Sequence, residues 1–284
     1  MKTSKFARGM YFVLSVAISG LIFSSCEPSD NVQPGFSDED KVDNSAVESE
    51  IDENFYYEDV DDFTAVAVDG ELNGTGKIQS DDRLTCPTLS RVGDQESGTL
   101  TIDFSAGCTD AKGRIRRGSI QVRYTGRQDR PNATRELTFV NFRVGDVTLE
   151  GTRRITVVSV NDTVTVEKID VEDGIITWPD GTIARRRLHR VRERHHGNIL
   201  NRLIIYGTEE GNHRNGRGFY IEILEPLVFD RECIKNGGLI ALEGKKLIKH
   251  GEREITVDYG DGECDNLVTI TNKNGRTWEY EVGS

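Results

Sequence analysis

The sequence lacks the short motifs that identify several common enzyme classes. It contains no Gly-x-Ser-x-Gly, no His-Glu-x-x-His and no Gly-x-x-x-x-Gly-Lys-Ser/Thr. These motifs mark hydrolase nucleophiles, zinc peptidases and phosphate-binding loops. The sequence therefore predicts no catalytic residue and no cofactor. A hydrolase of envelope glycans stays open as an alternative, because the two carboxylates of a glycosidase follow no short motif.

The chain also has little continuous apolar sequence. The uncharged apolar run 10–23 is about 14 residues long, whereas a membrane-spanning helix needs roughly 20. Lys2, Lys5 and Arg8 precede this run and two serines follow it. This order is typical of a signal peptide. Residues 1–25 are therefore predicted to be a signal peptide, and the rest of the chain to be exported.

The end of this segment resembles a lipobox, the site at which bacterial lipoproteins are acylated on cysteine and cleaved. The matching residues are Phe23-Ser24-Ser25-Cys26, and the usual pattern has Leu where this chain has Phe23. The resemblance implies fatty acyl chains, such as palmitate, on Cys26. It also implies a cell-envelope location, anchored in the outer membrane and facing the periplasm or the cell surface. An ordinary signal peptide followed by an unrelated cysteine is the alternative.

Acidic residues are concentrated after the signal peptide. Residues 27–62 carry a net charge of −13, whereas residues 63–284 carry −2. The charge predicts a disordered acidic tether over residues 26–45, since like charges keep such a segment extended. Apolar residues then recur at three- and four-residue spacing, which predicts an amphipathic helix within 46–69. These residues are Val47, Ile51, Phe55, Tyr56, Val60 and Phe63.

Four cysteines remain once Cys26 is acylated. None of them lies within two to four residues of another, and this argues against a zinc site. An even number in an exported chain predicts two disulfides. The segments that end in Cys108 and Cys264 resemble each other, and one cysteine precedes each segment. The pattern favours Cys86–Cys108 and Cys233–Cys264, with pairing between the two segments as the alternative.

Residues 70–284 alternate between apolar and polar side chains in many short segments. Leu100, Ile102 and Phe104 fall on one face of the first such segment, and glycine-containing turns separate later ones. This pattern predicts antiparallel hairpins. We therefore expect an all-β domain of about a dozen strands in a meander, forming a sandwich or a curved, partly closed barrel, with a short N-terminal helix. The apolar phase slips by one residue between Phe139 and Val140, which predicts a β-bulge.

One segment of the predicted sheet, 184–196, is unusually basic. As a strand it would carry charge on both faces, with only Ala184 and Leu188 sharing an apolar side. A ridge that binds anionic glycan or lipopolysaccharide is one interpretation. A solvated edge strand whose arginines pair with acids on neighbouring strands is the other. Nucleic acid is not expected, because the domain is nearly neutral and exported. The arginines are Arg185, Arg186, Arg187, Arg190, Arg192 and Arg194.

Two further features suggest candidate sites. Asp258, Asp261 and Asp265 lie close together in sequence in a predicted glycine-rich turn. Their carboxylate oxygens are ligands that calcium accepts. A tight turn next to Cys264 explains the same residues. The segment that begins at Asp162 matches a three-residue O-glycosylation pattern of Bacteroidota envelope proteins, which makes Thr163 a candidate for glycosylation. No single ion is expected on the histidines, because His189 lies about 20 Å along a strand from His195.

In combination, these features resemble an uncharacterised family of Bacteroidota lipoproteins. The resemblance covers about residues 85–284 and implies the envelope location and the β fold, but no activity. The chain departs from the family pattern in the basic segment 184–196. The matching segments are 102–108, 113–118, 120–126, 150–152, 176–178, 215–217 and 257–266.

The sequence therefore predicts a lipid-anchored binding or structural module of the cell envelope. The expected partners are the membrane, through the lipid, and a glycan, lipopolysaccharide or protein ligand. A carrier that holds a lipid or lipoprotein acyl chain is one alternative, and the glycan hydrolase is the other.

Overall fold

The computed structural model describes residues 37–74, 77–195, 202–235 and 240–283. The predicted signal peptide, Cys26, the first part of the predicted tether and His196 lie outside these ranges. Among the described residues, no helix is both long enough and apolar enough to cross a membrane.

A single long helix, α1 (Asp38–Asn73), begins the described part of the chain. Its 36 residues give a length of about 54 Å. The Ser37 hydroxyl accepts a hydrogen bond from the Asp40 backbone N–H, and the Ser37 N–H donates to the Asp40 carboxylate. This capping box and the acids of the first turn favour a helix start at this point. The helix ends at Gly74, whose φ of 63° is left-handed.

The helix is longer at both ends than the segment 46–69 predicted from the sequence, and residues 38–45 of the predicted tether are helical. The spacing of the apolar residues does not show where the helix begins and ends. The buried face of the helix includes Asp40, Asp43, Glu50, Glu53 and Asp61, so its pattern is not that of an ordinary amphipathic helix.

The rest of the described chain is mostly strand. Two short 3-10 helices, Lys77–Ser80 and Asp82–Leu84, lead into it, and a second α-helix, α2 (Arg231–Lys235), follows the strand Gly218–Asp230. The sequence predicts an N-terminal helix only, so α2 was not expected. The strands are β1 (Thr88–Gly93), β2 (Ser97–Asp103), β3 (Cys108–Thr109), β4 (Ile115–Thr125), β5 (Thr134–Val144), β6 (Val147–Glu150), β7 (Thr152–Val160), β8 (Val164–Thr177), β9 (Ile183–His195), β10 (Arg202–Asn212), β11 (Gly218–Asp230), β12 (Glu243–His250), β13 (Arg253–Asp261), β14 (Leu267–Asn272) and β15 (Thr277–Glu281).

These strands form one antiparallel sheet that follows the chain order from β1 to β15. β6 and β7 together occupy the place between β5 and β8, and β3 pairs only with β4. The predicted all-β meander is confirmed, and the sheet curls into a partial ring. The sheet has 15 strands, somewhat more than the dozen expected, because several strands are very short.

The predicted bulge in β5 is also present. Ser119 pairs with Val140, but Arg117 pairs with Arg143, so β5 has one residue more than β4 at this point. Gly118 lies opposite the extra residue, and a Cβ atom there would come within 2.2 Å of the Asn141 carbonyl oxygen. Glycine is required at 118 for this close approach of the two backbones.

One face of the sheet, called here the inner face, packs against α1. Its apolar side chains form two clusters. The first joins β2–β9 to the C-terminal half of α1 through Tyr57, Val60, Phe63, Ala67, Val68 and Leu72. The second joins β10–β15 to the N-terminal half, where Val47 is the only fully buried residue that α1 contributes. The opposite face, the outer face, is largely exposed.

Both predicted disulfides are confirmed. Cys86 pairs with Cys108, and Cys233 pairs with Cys264, with Cα atoms 5.6 and 5.7 Å apart. One lies beside β1 and β3, and the other joins α2 to the turn between β13 and β14.

Candidate functional site

Carboxylates of α1 contact basic side chains of the inner face along most of the length of the helix. Near the C-terminal half, Asp61 accepts two hydrogen bonds from Arg153, at 2.8 and 2.7 Å. Arg192 lies 3.5 Å from the same carboxylate. The Asp61 side chain has no exposed surface, and those of Arg153 and Arg192 have almost none. A buried charge requires such a partner, because desolvation otherwise disfavours it strongly.

A second group of ion pairs lies beside Asp59. Its carboxylate accepts hydrogen bonds from Arg116 at 2.6 Å and from Arg83 at 3.2 Å. Arg116 also donates to Asp110 at 2.8 Å. Burial raises the pKa of Asp110, but hydrogen bonds from Arg116 and Arg114 outweigh it and hold that pKa at about 2. Asp110 is thus a carboxylate throughout the physiological range.

The middle of the helix contacts β9 and the turn after β10. Glu53 accepts a hydrogen bond from Arg186 at 3.1 Å, and His213 Nδ1 lies 3.2 Å from both oxygens of the same carboxylate. Arg190 donates to Glu209 of β10 at 2.5 Å and approaches Glu58 of the helix at 3.4 Å.

The N-terminal half of α1 is held in the same way against β12 and β13. Lys246 donates to Glu50, and both side chains are almost completely buried. Asp43 accepts hydrogen bonds from Arg253 at 2.6 Å and contacts His250 Nε2 at 3.0 Å. Burial lowers the pKa of His250 and outweighs the opposing effect of Asp43. His250 is therefore a neutral donor to Asp43 at neutral pH rather than half of an ion pair.

The arginines predicted as an anion-binding ridge are divided between the two faces of β9. Arg186, Arg190 and Arg192 are buried on the inner face, beside Ala184 and Leu188. Arg194 donates to Glu167 at 2.8 Å, and Arg192 donates to the same carboxylate at 2.9 Å. The other two, Arg185 and Arg187, are exposed on the outer face.

Glu167 of β8 is the centre of a further buried group. It accepts hydrogen bonds from Arg135, Arg192 and Arg194. Burial raises its pKa, but the three guanidinium groups outweigh burial and hold that pKa well below its usual value. Burial lowers the pKa of Arg192, but the nearby carboxylates of Glu167 and Asp61 outweigh burial and raise that pKa overall. Glu167 and Arg192 are therefore held in their charged forms.

The outer face has a groove of about 690 Å³ that crosses β8–β12 near one end of the strands. We call it the glycine groove, because Gly211, Gly218 and Gly251 are among the residues that line it. A Cβ atom on Gly211 would meet the Arg185 carbonyl oxygen at 1.9 Å, so the backbones touch there. The polar and aromatic side chains that line the groove include Glu172, Arg185, Arg187, Glu210, Tyr220 and Lys249.

Ion pairs fix part of this lining. Arg187 bridges two strands, because it contacts Glu172 at 3.1 Å and Glu210 at 3.0 Å. Lys249 Nζ lies 6.0 Å from the centre of the Tyr220 ring and 3.5 Å from Glu254. A second groove of about 480 Å³ lies next to it, lined by Glu136, Arg154, Lys168, Asp170 and His189 among others.

Of the candidate calcium residues, Asp258 and Asp261 lie in β13 and Asp265 lies in the turn after it. Asp258 accepts from the Gly260 N–H and Asp265 from the Leu267 N–H, and Asp261 is exposed. Within the described ranges, no group of three or more His, Cys, Asp or Glu side chains could hold a metal ion. Thr163 lies in the turn between β7 and β8, where its hydroxyl donates to Asn161. His189 contacts Asp170 on the outer face, and His195 contacts Glu193.

The sequence did not reveal that α1 would supply the partners of the inner-face arginines. The acids at positions 43, 50, 53 and 61 recur at intervals that place them on one helical face. That spacing is the signal in the sequence, but a search for apolar residues at helical spacing does not detect it because these residues are acids. No family model, no curated protein and no solved structure matches this chain.

Proposed function

We propose that this chain is a lipid-anchored binding module of the cell envelope, which recognises its ligand through the outer face of the sheet. The signal peptide, the cysteine at position 26 and the acidic segment after it support the anchored location. Two disulfides among the remaining cysteines fit an exported protein.

The observation that carries this proposal is the occupation of the inner face by α1. The helix packs against strands from β2 to β15, and its carboxylates pair with buried bases of β7, β9 and β12. A carrier would need the inner face for an acyl chain, and this arrangement places charged groups where such a chain would lie. The outer face, in contrast, carries two grooves with polar linings. A binding module therefore fits the geometry better than a carrier does.

The experiment combines location with ligand screening. Mass spectrometry of the protein from cells should find an acylated N-terminal Cys26, and a Cys26→Ser variant should leave the membrane fraction. The purified protein should then bind members of an array of glycans, lipopolysaccharides and envelope proteins. An unmodified Cys26 would contradict the anchored location. An array on which nothing binds would contradict the binding function.

A further inference from the structure

The glycine groove combines features that suit a saccharide. Its volume of about 690 Å³ lies within the range of small-molecule sites. Gly218 in its lining leaves backbone that a ligand can approach closely. Tyr220 on one wall is only partly exposed, and an aromatic ring of this kind offers an apolar surface with a polar tip. The apolar side of a pyranose ring can pack on such a surface.

The carboxylates of the groove are held in position for hydrogen bonding. Arg187 contacts both Glu172 and Glu210, which fixes two acceptors on strands on either side of β9. Sugar hydroxyls are donors, and an ionised acceptor strengthens such hydrogen bonds. The arrangement therefore offers acceptors for hydroxyl groups beside the aromatic wall.

Arg185 differs from its neighbours on β9. Arg186, Arg187, Arg190, Arg192 and Arg194 each contact a carboxylate. Arg185 is exposed and lines the groove, and within the described part of the chain it forms no ion pair. A guanidinium group of this kind binds a carboxylate through two parallel hydrogen bonds.

We propose that the glycine groove binds an acidic oligosaccharide, with Arg185 contacting a uronic acid carboxylate. Tyr220 packs against a sugar ring, and Glu172 and Glu210 accept hydrogen bonds from its hydroxyls. This inference rests on the proposed binding function and names the ligand class and the site.

The test measures binding of trimers of galacturonate, glucuronate and mannuronate, and of their methyl esters, to the purified full chain by calorimetry. We expect at least one acid trimer to bind. Arg185→Gln should weaken that binding by about tenfold or more, because a charge-assisted hydrogen bond is lost. The same substitution should have little effect on the corresponding ester, which lacks the charge.

A second variant blocks the groove without changing its charge. A Cβ atom on Gly218 would meet no other atom closer than 3.7 Å, which is an ordinary contact distance, so Gly218→Leu should fold and fill the groove. We expect it to abolish binding of the acid trimer. Arg154→Gln is the matched control, because Arg154 is an exposed arginine of the second groove. It should leave binding unchanged, and thermal unfolding should show all three variants to be folded.

The outcomes separate this inference from the proposed function. Acid trimers that bind equally well to Arg185→Gln and Gly218→Leu would overturn the groove assignment and leave a binding module with another site. A panel in which no uronate trimer binds would overturn the ligand class, even if other members of the array bind. A blank result on the whole array would overturn the binding function as well.

Discussion

At the residue scale, Asp61 shows how charge is accommodated inside this fold. Burial raises the pKa of Asp61, but Arg153 and then Arg192 outweigh it, so that pKa is lowered overall. Burial lowers the pKa of Arg153, and Asp61 reverses that effect as well. Each charge is tolerable only because the other is present. Removal of one partner should therefore lower the free energy of unfolding by more than the intact pair contributes to it.

Asp61→Asn should destabilise the protein by about 3–5 kcal/mol, because Arg153 keeps its charge but loses its partner in a buried position. Urea denaturation of the wild type and the variant measures the difference. Asp38→Asn is the matched control, because Asp38 pairs with Lys41 on the exposed surface of the same helix. It should change stability by less than about 1 kcal/mol. Equal effects of the two substitutions would contradict this account of Asp61.

The basic segment also shows what could be predicted residue by residue. The sequence correctly placed Ala184 and Leu188 on the same side of a strand, because side chains alternate with period two. It could not identify the partners of Arg186 and Arg192 on α1, since these acids are more than 100 positions away in sequence, whereas acids of the neighbouring strands were one of its two interpretations. Ion pairing between distant elements leaves no local pattern in either segment.

At the scale of elements, the two halves of α1 are held by different forces. The C-terminal half contributes six fully buried apolar residues to the first cluster, whereas the N-terminal half contributes Val47 to the second. The polar contacts of the N-terminal half include those of Ser37, Asp43, Asn44, Glu48 and Glu50. The attachment of this half therefore depends more on ionisation than that of the other half.

As the pH falls, residues 38–54 should consequently detach from the sheet before residues 57–72 do. The pKa of His250 is lowered from 6.5 by burial, so its contribution to stability is complete above pH 6.5 and is lost as pH falls through the lower folded value. The pKa of Glu50 is also lowered from 4.5, because Lys246 outweighs burial. Its contribution is present above pH 4.5 and is lost below that value.

Hydrogen exchange measured between pH 7 and pH 4, and corrected for intrinsic rates, tests this order. Amides of residues 38–54 should lose protection first, beginning below pH 6.5. His250→Gln removes the titrating group and should remove the early part of that loss, while the part below pH 4.5 stays. Simultaneous loss of protection along the whole helix would contradict the distinction between its two halves.

The strands were predictable because each carries its own alternation, and the bulge of β5 was visible as a slip in that alternation. The helix was only partly predictable. Phe55, one of the apolar residues that predict it, is exposed, and two acids of its buried face, Asp40 and Asp43, lie in the segment predicted to be a tether. A pattern rule that counts only apolar residues fails when the docking surface of the partner is basic.

At the scale of the whole molecule, α1 contacts residues near both ends of the sheet, Gln95 between β1 and β2 and Trp278 in β15. Edge strands pair on only one side and open more easily than central strands. β1 and β15 are these edges. The disulfide Cys86–Cys108 lies beside β1, and Cys233–Cys264 lies beside the loop that leads into β14. The two covalent links are therefore placed near the two ends of the meander.

Each disulfide should protect its own end of the sheet. The loops that they close span 22 and 31 residues, and on the chain-entropy model each should contribute about 3–4 kcal/mol. Replacing Cys86 and Cys108 by alanine should lower stability by this amount and raise hydrogen exchange in β1 and β2. Replacing Cys233 and Cys264 should act on β13–β15 instead. In both variants β8 and β9 should keep their protection, because they lie in the middle of the sheet. If either pair of substitutions instead loosened the central strands first, the disulfides would be supporting the whole sheet rather than its ends.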